Sequence, residues 1–153
     1  MPSAHNIQPW SFVVVKKPET IDKLMQTCFY GRFHGSPNIL IAVVLEPVSE
    51  EHQGLLKGTA KEVTEYHQYI HIGLPVLAMT LEAEALGIAS CIVSPDVKEA
   101  NRILGVPNDR KTVLLTGLGY EKEGAFQHPR HRKELKEMVH YGVYGSRTWT
   151  AMQ

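Results

Sequence analysis

The sequence predicts one α+β domain over residues 1–153, with about four short strands and three or four helices. Three observations predict it. Three apolar stretches of strand length, Ser11–Val15, Ile39–Leu45 and Thr112–Leu118, punctuate the chain. A long helical pattern runs from Ala60 to Leu86 between the second and third of them. The length of 153 residues suits a single core that buries about 70% of the unfolded surface.

The elements follow in order. A polar, proline-bounded loop, Met1 to Trp10, leads into the β-branched Ser11–Val15. Pro18 and Glu19 open a helix over Thr20–Cys28, with Ile21, Leu24 and Met25 on one face. Gly31–Pro37 reads as a loop, and Ile39–Leu45 as a strand covered on both faces. Glu46–Thr59 is irregular and polar. Pro75 is expected to kink the long helix or mark a boundary, since it lacks an amide and crowds the preceding turn. Leu74–Leu86 is apolar on nearly every face, which calls for burial in a core or a subunit interface. Gly87 fits a left-handed stop, Ile88–Val93 a short strand, and Asp96–Leu104 a helix ended by Gly105 and Pro107. The tail from Arg130 mixes basic, aromatic and glycine residues.

Composition excludes several classes of function. Sixteen basic residues balance 16 acidic ones, which argues against nucleic-acid or membrane-surface partners. The apolar run Ile39–Leu45 is too short to span a bilayer, and the N-terminus lacks signal-peptide character, so a soluble, cytoplasmic protein is expected. Cys28 and Cys91 are isolated thiols without zinc-site spacing. No P-loop, GxGxxG or GxSxG pattern occurs.

What remains is a short set of candidates. His67 and His71, four apart on the long helix, share a face and have metal-pair spacing, with Glu62 or Glu65 as a further ligand; two ordinary imidazoles on a partly exposed helix are the favoured reading. His128, His131, Arg130, Arg132 and Lys133 form a basic cluster, read either as a solvated face or as a phosphate subsite. The opening loop, Pro2-Ser-Ala-His-Asn-Ile-Gln-Pro-Trp10, places Ser, Asn and Gln side chains before a buried strand. It can be a turn capped by its own side chains, or a grip on the polar edge of a planar heterocycle.

That loop, followed by Phe12-Val-Val-Val15, resembles the FMN-dependent nitroreductase family. Three further segments agree in order: Leu86-Gly-Ile-Ala-Ser-Cys91 after the long helix, Leu104-Gly-Val-Pro107 before the last strand, and Glu137-Met-Val-His-Tyr-Gly142 in the C-terminal arm. The resemblance implies an α/β sandwich, a central mixed sheet flanked by helices, and a long central dimer helix. It implies flavin contacts from Pro2, Ser3, Ala4, Asn6 and His71 to the partner subunit's cofactor. It further implies Arg32 at the N1/O2 side of the ring, where a positive charge suits the reduced anion, and backbone at Ile92 and Val93 facing N5. Arg130 and Arg132 are implied as phosphate ligands.

The activity so implied is NAD(P)H oxidation through FMN, with hydride passing through flavin N5 to a nitroaromatic, quinone or related small-molecule acceptor. Such chemistry needs no side-chain acid or base, so no catalytic side chain is assigned. Family members carry an Arg-Arg-Ser-x-Arg segment ahead of the loop, and this sequence reads as an N-terminally short member without it. Loss of two charge-assisted hydrogen bonds, at ~1.5–3 kcal/mol each, predicts FMN binding weaker by roughly ten- to ten-thousand-fold. A homodimer of this fold with weak or no FMN binding, serving as a non-catalytic scaffold, is the alternative.

Overall fold

Alternation of inward and outward side chains, set by the strand period of two, sorts the molecule into two cores on opposite faces of one sheet. The computed structural model describes residues 3–29, 37–53, 61–124 and 129–147. The chain divides into two compact units, residues 1–121 and 122–153.

In the first unit the order is β1 (Trp10–Val15), α1 (Pro18–Met25), β2 (Ile39–Leu45), α2 (Glu50–Gln53), α3 (Lys61–Ala85), β3 (Ala89–Val93), α4 (Val97–Leu104) and β4 (Lys111–Gly119). The strands form one sheet in the order β1-β2-β4-β3. Every described pairing is antiparallel, so the mixed character expected of the sheet is absent from these four strands. The register shifts between Val43 and Val44 on β2, a bulge that leaves Val113 unpaired opposite them.

On one face Val15, Leu40, Ala42 and Leu115 pack against Ile21 and Leu24 of α1 and Ala100 of α4. Asp96 caps α4 by accepting the Glu99 N–H, and Gly105, in the left-handed region at φ 69°, ends it. On the other face Val43 and Leu45 pack against Ile72 and Val76 of α3, with Trp10 and Met79 at the margin.

The structure corrects two expectations about local structure. Glu46–Thr59 is not wholly irregular, because Glu50–Gln53 forms a helical turn. Pro75 marks no boundary: α3 runs through it, and the ring is fully buried. Burial of that ring offsets the missing amide, at the cost of leaving the carbonyl of His71 without its helical donor. The apolar segment Leu74–Leu86 is only half covered within one chain. Pro75, Val76 and Ala83 are buried, while Leu77 and Leu81 remain 56% and 62% exposed. Tyr66, Ile70 and Leu74 continue that exposed stripe at helical spacing.

In the second unit α5 (Leu135–Met138) is followed by a turn in which the Gly145 N–H donates to His140 Nδ1 at 2.7 Å and the His140 and Tyr144 rings stack. Leu135, Met138, Val143 and Tyr144 are exposed. Among the described residues, no helix is long and apolar enough to cross a membrane.

Candidate functional site at the N-terminal loop and the central helix

Ser3 to Gln8 forms a tight, internally braced loop at the start of β1. Ala4–Asn6 makes a single 3₁₀ turn, in which the Asn6 N–H donates to the Ser3 carbonyl at 3.0 Å. His5, Asn6 and Gln8 all sit in the left-handed region, with φ of 50°, 56° and 49°. Asn tolerates this conformation, whereas His and Gln lose roughly 1–2 kcal/mol each there. Such strain persists only where surrounding bonds hold it.

Two sets of bonds hold it here. Gln8 is the internal brace: its N–H donates to Ser3 Oγ at 2.9 Å, and its Nε2 donates to Asn6 Oδ1 at 3.0 Å. The loop's exit is fixed by the Glu46 N–H, which donates to the Pro9 carbonyl at 3.2 Å. The Glu46 carboxylate in turn accepts from Ser11 Oγ at 2.5 Å and from Arg110 Nε at 2.6 Å.

The loop is tied to α3 through a histidine. The Ala4 N–H donates to His71 Nε2 at 3.3 Å. The first amides of any helical turn lack partners of their own, and the imidazole supplies one. An Nε2 that accepts must be unprotonated, so the proton of the neutral ring lies on Nδ1. That Nδ1 is buried and has no partner among the described residues. Desolvation, and after it the nearby His67, hold the His71 pKa below the ordinary imidazole value. The two rings stand 6.5 Å apart between centroids, tilted at 59°. Lys111 at the start of β4 donates to Tyr69 OH at 3.3 Å, tying α3 to the sheet two residues before His71.

The loop residues Ser3, Ala4 and Asn6 and the α3 residue His71 are thus brought together. Ile92 and Val93 are not with them. They lie on β3, at the opposite edge of the sheet from β1, three strand spacings or roughly 14 Å away. The Val93 side chain packs into the α1–α4 core, and the Ile92 side chain is half-exposed. Arg130 and Arg132 are exposed residues of the second unit. Pro2, Arg32, His128 and the side chains of Glu62 and Glu65 lie outside the described residues. Among the described residues, no group of three His, Cys, Asp or Glu side chains could hold a metal ion.

The chemistry of the loop fits the polar edge of a flavin. Ser3 Oγ accepts from Gln8 and Asn6 Oδ1 accepts from Gln8, so among the described residues the Ser3 hydroxyl hydrogen and the Asn6 amide Nδ2 are left as donors. Carbonyl oxygens and ring nitrogens of an isoalloxazine are acceptors for such groups. The bracing roles of Gln8 and Glu46 were not legible in the sequence. For Gln8 the sequence offers only the general reading of a turn capped by its own side chains, and the partners of Glu46 lie 35 and 64 positions away.

Comparison with known proteins bears on the fold. No family model matches the chain. It is 28% identical to an NADH dehydrogenase of Thermus thermophilus, over 90% of this chain and 78% of that protein. Its structure superposes on a nitroreductase family protein from Streptococcus pneumoniae with a TM-score of 0.76 at 23% identity, over 92% of this chain and 82% of the other. It matches an FMN-dependent nitroreductase from Clostridium difficile with a TM-score of 0.67 at 18% identity, over 94% and 80% of the two chains. The fold is therefore that of the nitroreductases, and the family resemblance read from the sequence stands.

Proposed function

We propose that this protein is an FMN-dependent NAD(P)H oxidoreductase that passes electrons to a nitroaromatic, quinone or related small acceptor, and that it works as a homodimer. The observation that carries the reading is the placement of the Ser3–Gln8 loop on α3, with two unused side-chain donors and a strained backbone braced on both sides. The Thermus relative is named for NADH oxidation and the Clostridium neighbour for FMN dependence, and both names support the cofactor assignment.

The dimer follows from distance and from surface. Loop and β3 lie at opposite edges of one sheet, so a single chain does not close both around one flavin ring. A second copy packed across α3 supplies the other half and covers the exposed stripe of Ile70, Leu74, Leu77 and Leu81.

FMN bound there would supply the redox chemistry, taking a hydride from the nicotinamide and delivering electrons to the acceptor. The chain's own residues bind and orient. Ser3 and Asn6 donate to the ring edge, His71 fixes the loop through Ala4, and the β3 backbone near Ile92 and Val93 offers further polar groups. In the same reading Arg130 and Arg132 hold the phosphate, and no side chain acts as acid or base.

Reconstitution tests this. Protein incubated with FMN and freed of excess by gel filtration is expected to keep a flavin absorbance band. That band should bleach with NADH or NADPH without oxygen and return on adding a nitroaromatic or a quinone. Protein that takes up no flavin at any concentration would overturn the proposal in favour of a non-catalytic scaffold.

A further inference from the structure

We infer that His71 is a positioning residue: in its neutral, Nδ1-protonated form it holds the Ser3–Gln8 loop through the Ala4 N–H, and protonation of the ring releases that loop. The inference rests on the proposed flavin reading only for its consequence on cofactor affinity; the clamp itself is a property of the chain alone.

Three features carry it. The contact is direct, from the Ala4 N–H to His71 Nε2 at 3.3 Å, and an imidazolium has no lone pair at Nε2 to accept it. The loop it holds is strained at His5, Asn6 and Gln8, so it needs external bonds to stay in place. The acceptor is itself well placed. Pro75 anchors the turn after His71 in the core, Ile72 is buried beside it, and Lys111 ties Tyr69 to β4.

The charges around His71 bear on when it titrates. On α3 the neighbour is His67, whose positive charge opposes a second one. The loop brings His5, with an exposed ring. Of the strands beneath α3, β2 holds no ionisable side chain and β3 holds only Cys91. At the start of β4, Lys111 is turned to Tyr69 OH. Among the described residues, no carboxylate acts on His71 to favour the imidazolium. Loss of solvent acts in the same direction, so the ring stays neutral to lower pH than a free imidazole.

The sign follows. The folded ring binds its proton less readily than the unfolded one. The clamp is therefore complete above the ordinary imidazole pKa and is lost as pH falls through the lowered pKa of the folded ring. Where only the clamped loop binds flavin, apparent affinity scales with the clamped fraction. It then falls by at most about ten-fold per pH unit below the His71 pKa.

Nuclear magnetic resonance on the apo protein tests the clamp directly. At neutral pH the His71 ring nitrogens are expected to report the Nδ1-protonated tautomer, and the Ala4 amide shift should titrate with the His71 ring. His71→Gln, which keeps an acceptor at the same reach but cannot titrate, should hold the Ala4 amide unchanged across the same range. A parallel titration with FMN and riboflavin should show affinity falling with acid in the wild type and flat in His71→Gln. An Ala4 amide indifferent to the His71 titration overturns the inference, whatever flavin does. A coupled Ala4 and His71 in a protein that binds no flavin upholds the clamp and overturns the cofactor reading instead. The wild-type titration decides the matter even if the variant fails to fold.

Discussion

The Asn101 side chain accepts the Thr112 N–H at 2.9 Å across the α4–β4 connection, at a position where both residues are buried. Its Nδ2 donates to the Arg110 carbonyl at 2.8 Å and to the Pro107 carbonyl at 3.4 Å. One amide thus satisfies three backbone groups of a turn that feeds the central part of the sheet. Asn101→Ala strands the buried Thr112 N–H, so a loss of about 2–3 kcal/mol is expected. For a chain of this size that lowers Tm by roughly 4–12 °C. Calorimetry of the two proteins measures it, and an unchanged Tm would show that water replaces the side chain.

How far the sequence foretold this structure depends on the range of each interaction. Strands with continuous apolar runs, such as Ile39–Leu45, were legible because burial on both faces leaves its mark residue by residue. The α4 boundaries were legible because Asp96 and Gly105 act on their own neighbours. At Pro75 the helix continues with the ring buried, which removes the boundary from the two outcomes the local rule allows. Within the site, Ser3, Ala4, Asn6 and His71 came from the resemblance and sit together. Gln8 and Glu46, which brace them, did not. The partners of Glu46 are chosen by the fold, whereas those of Gln8 lie within the loop, as a turn capped by its own side chains requires.

Glu46 links Ser11 on β1 to Arg110 ahead of β4, and its hydrogen bond is the leading cause that raises the Arg110 pKa. Both charged side chains are partly open to solvent, which limits the value of the pair. Glu46→Ala is expected to destabilise the protein by about 1 kcal/mol, with the difference shrinking in high salt. Urea unfolding at low and high ionic strength separates the two parts. A salt-independent loss would mean that the Ser11 bond, rather than the ion pair, carries the effect.

The two arginines of the second unit give a prediction specific to the phosphate. Changing Arg130 and Arg132 together to Ala should weaken FMN binding by at least about ten-fold and leave riboflavin binding nearly unchanged. Only FMN presents a dianion for the guanidinium forks to hold. Titration calorimetry with each flavin makes the comparison. Equal losses for both ligands would assign the segment a role in folding and remove it from the cofactor site.

Exposure along α3 gives the prediction about assembly. Tyr66, Ile70, Leu74, Leu77 and Leu81 recur at helical spacing on one face, while Ile72, Pro75, Val76 and Ala83 are buried. Phe12 and Val14, on the sheet face that α3 covers only in part, are also exposed. Apolar surface of this extent on a small chain marks a contact between proteins. A second copy meeting along α3 places the same stripe against itself, as two-fold symmetry requires. Light scattering of the wild type at micromolar concentration should therefore give a dimer mass. Leu77→Glu with Leu81→Glu sets four carboxylates against one another across that axis and leaves them without partners, so the variant should scatter as a monomer. Both positions face solvent within one chain, so its helical circular dichroism should persist. Flavin retention by the variant should fall with the dimer, because loop and β3 of a single chain remain at opposite edges of the sheet. A wild type that is monomeric yet retains flavin would show that one chain completes the site, and the two-chain assignment of Ser3, Asn6, Ile92 and Val93 would fail.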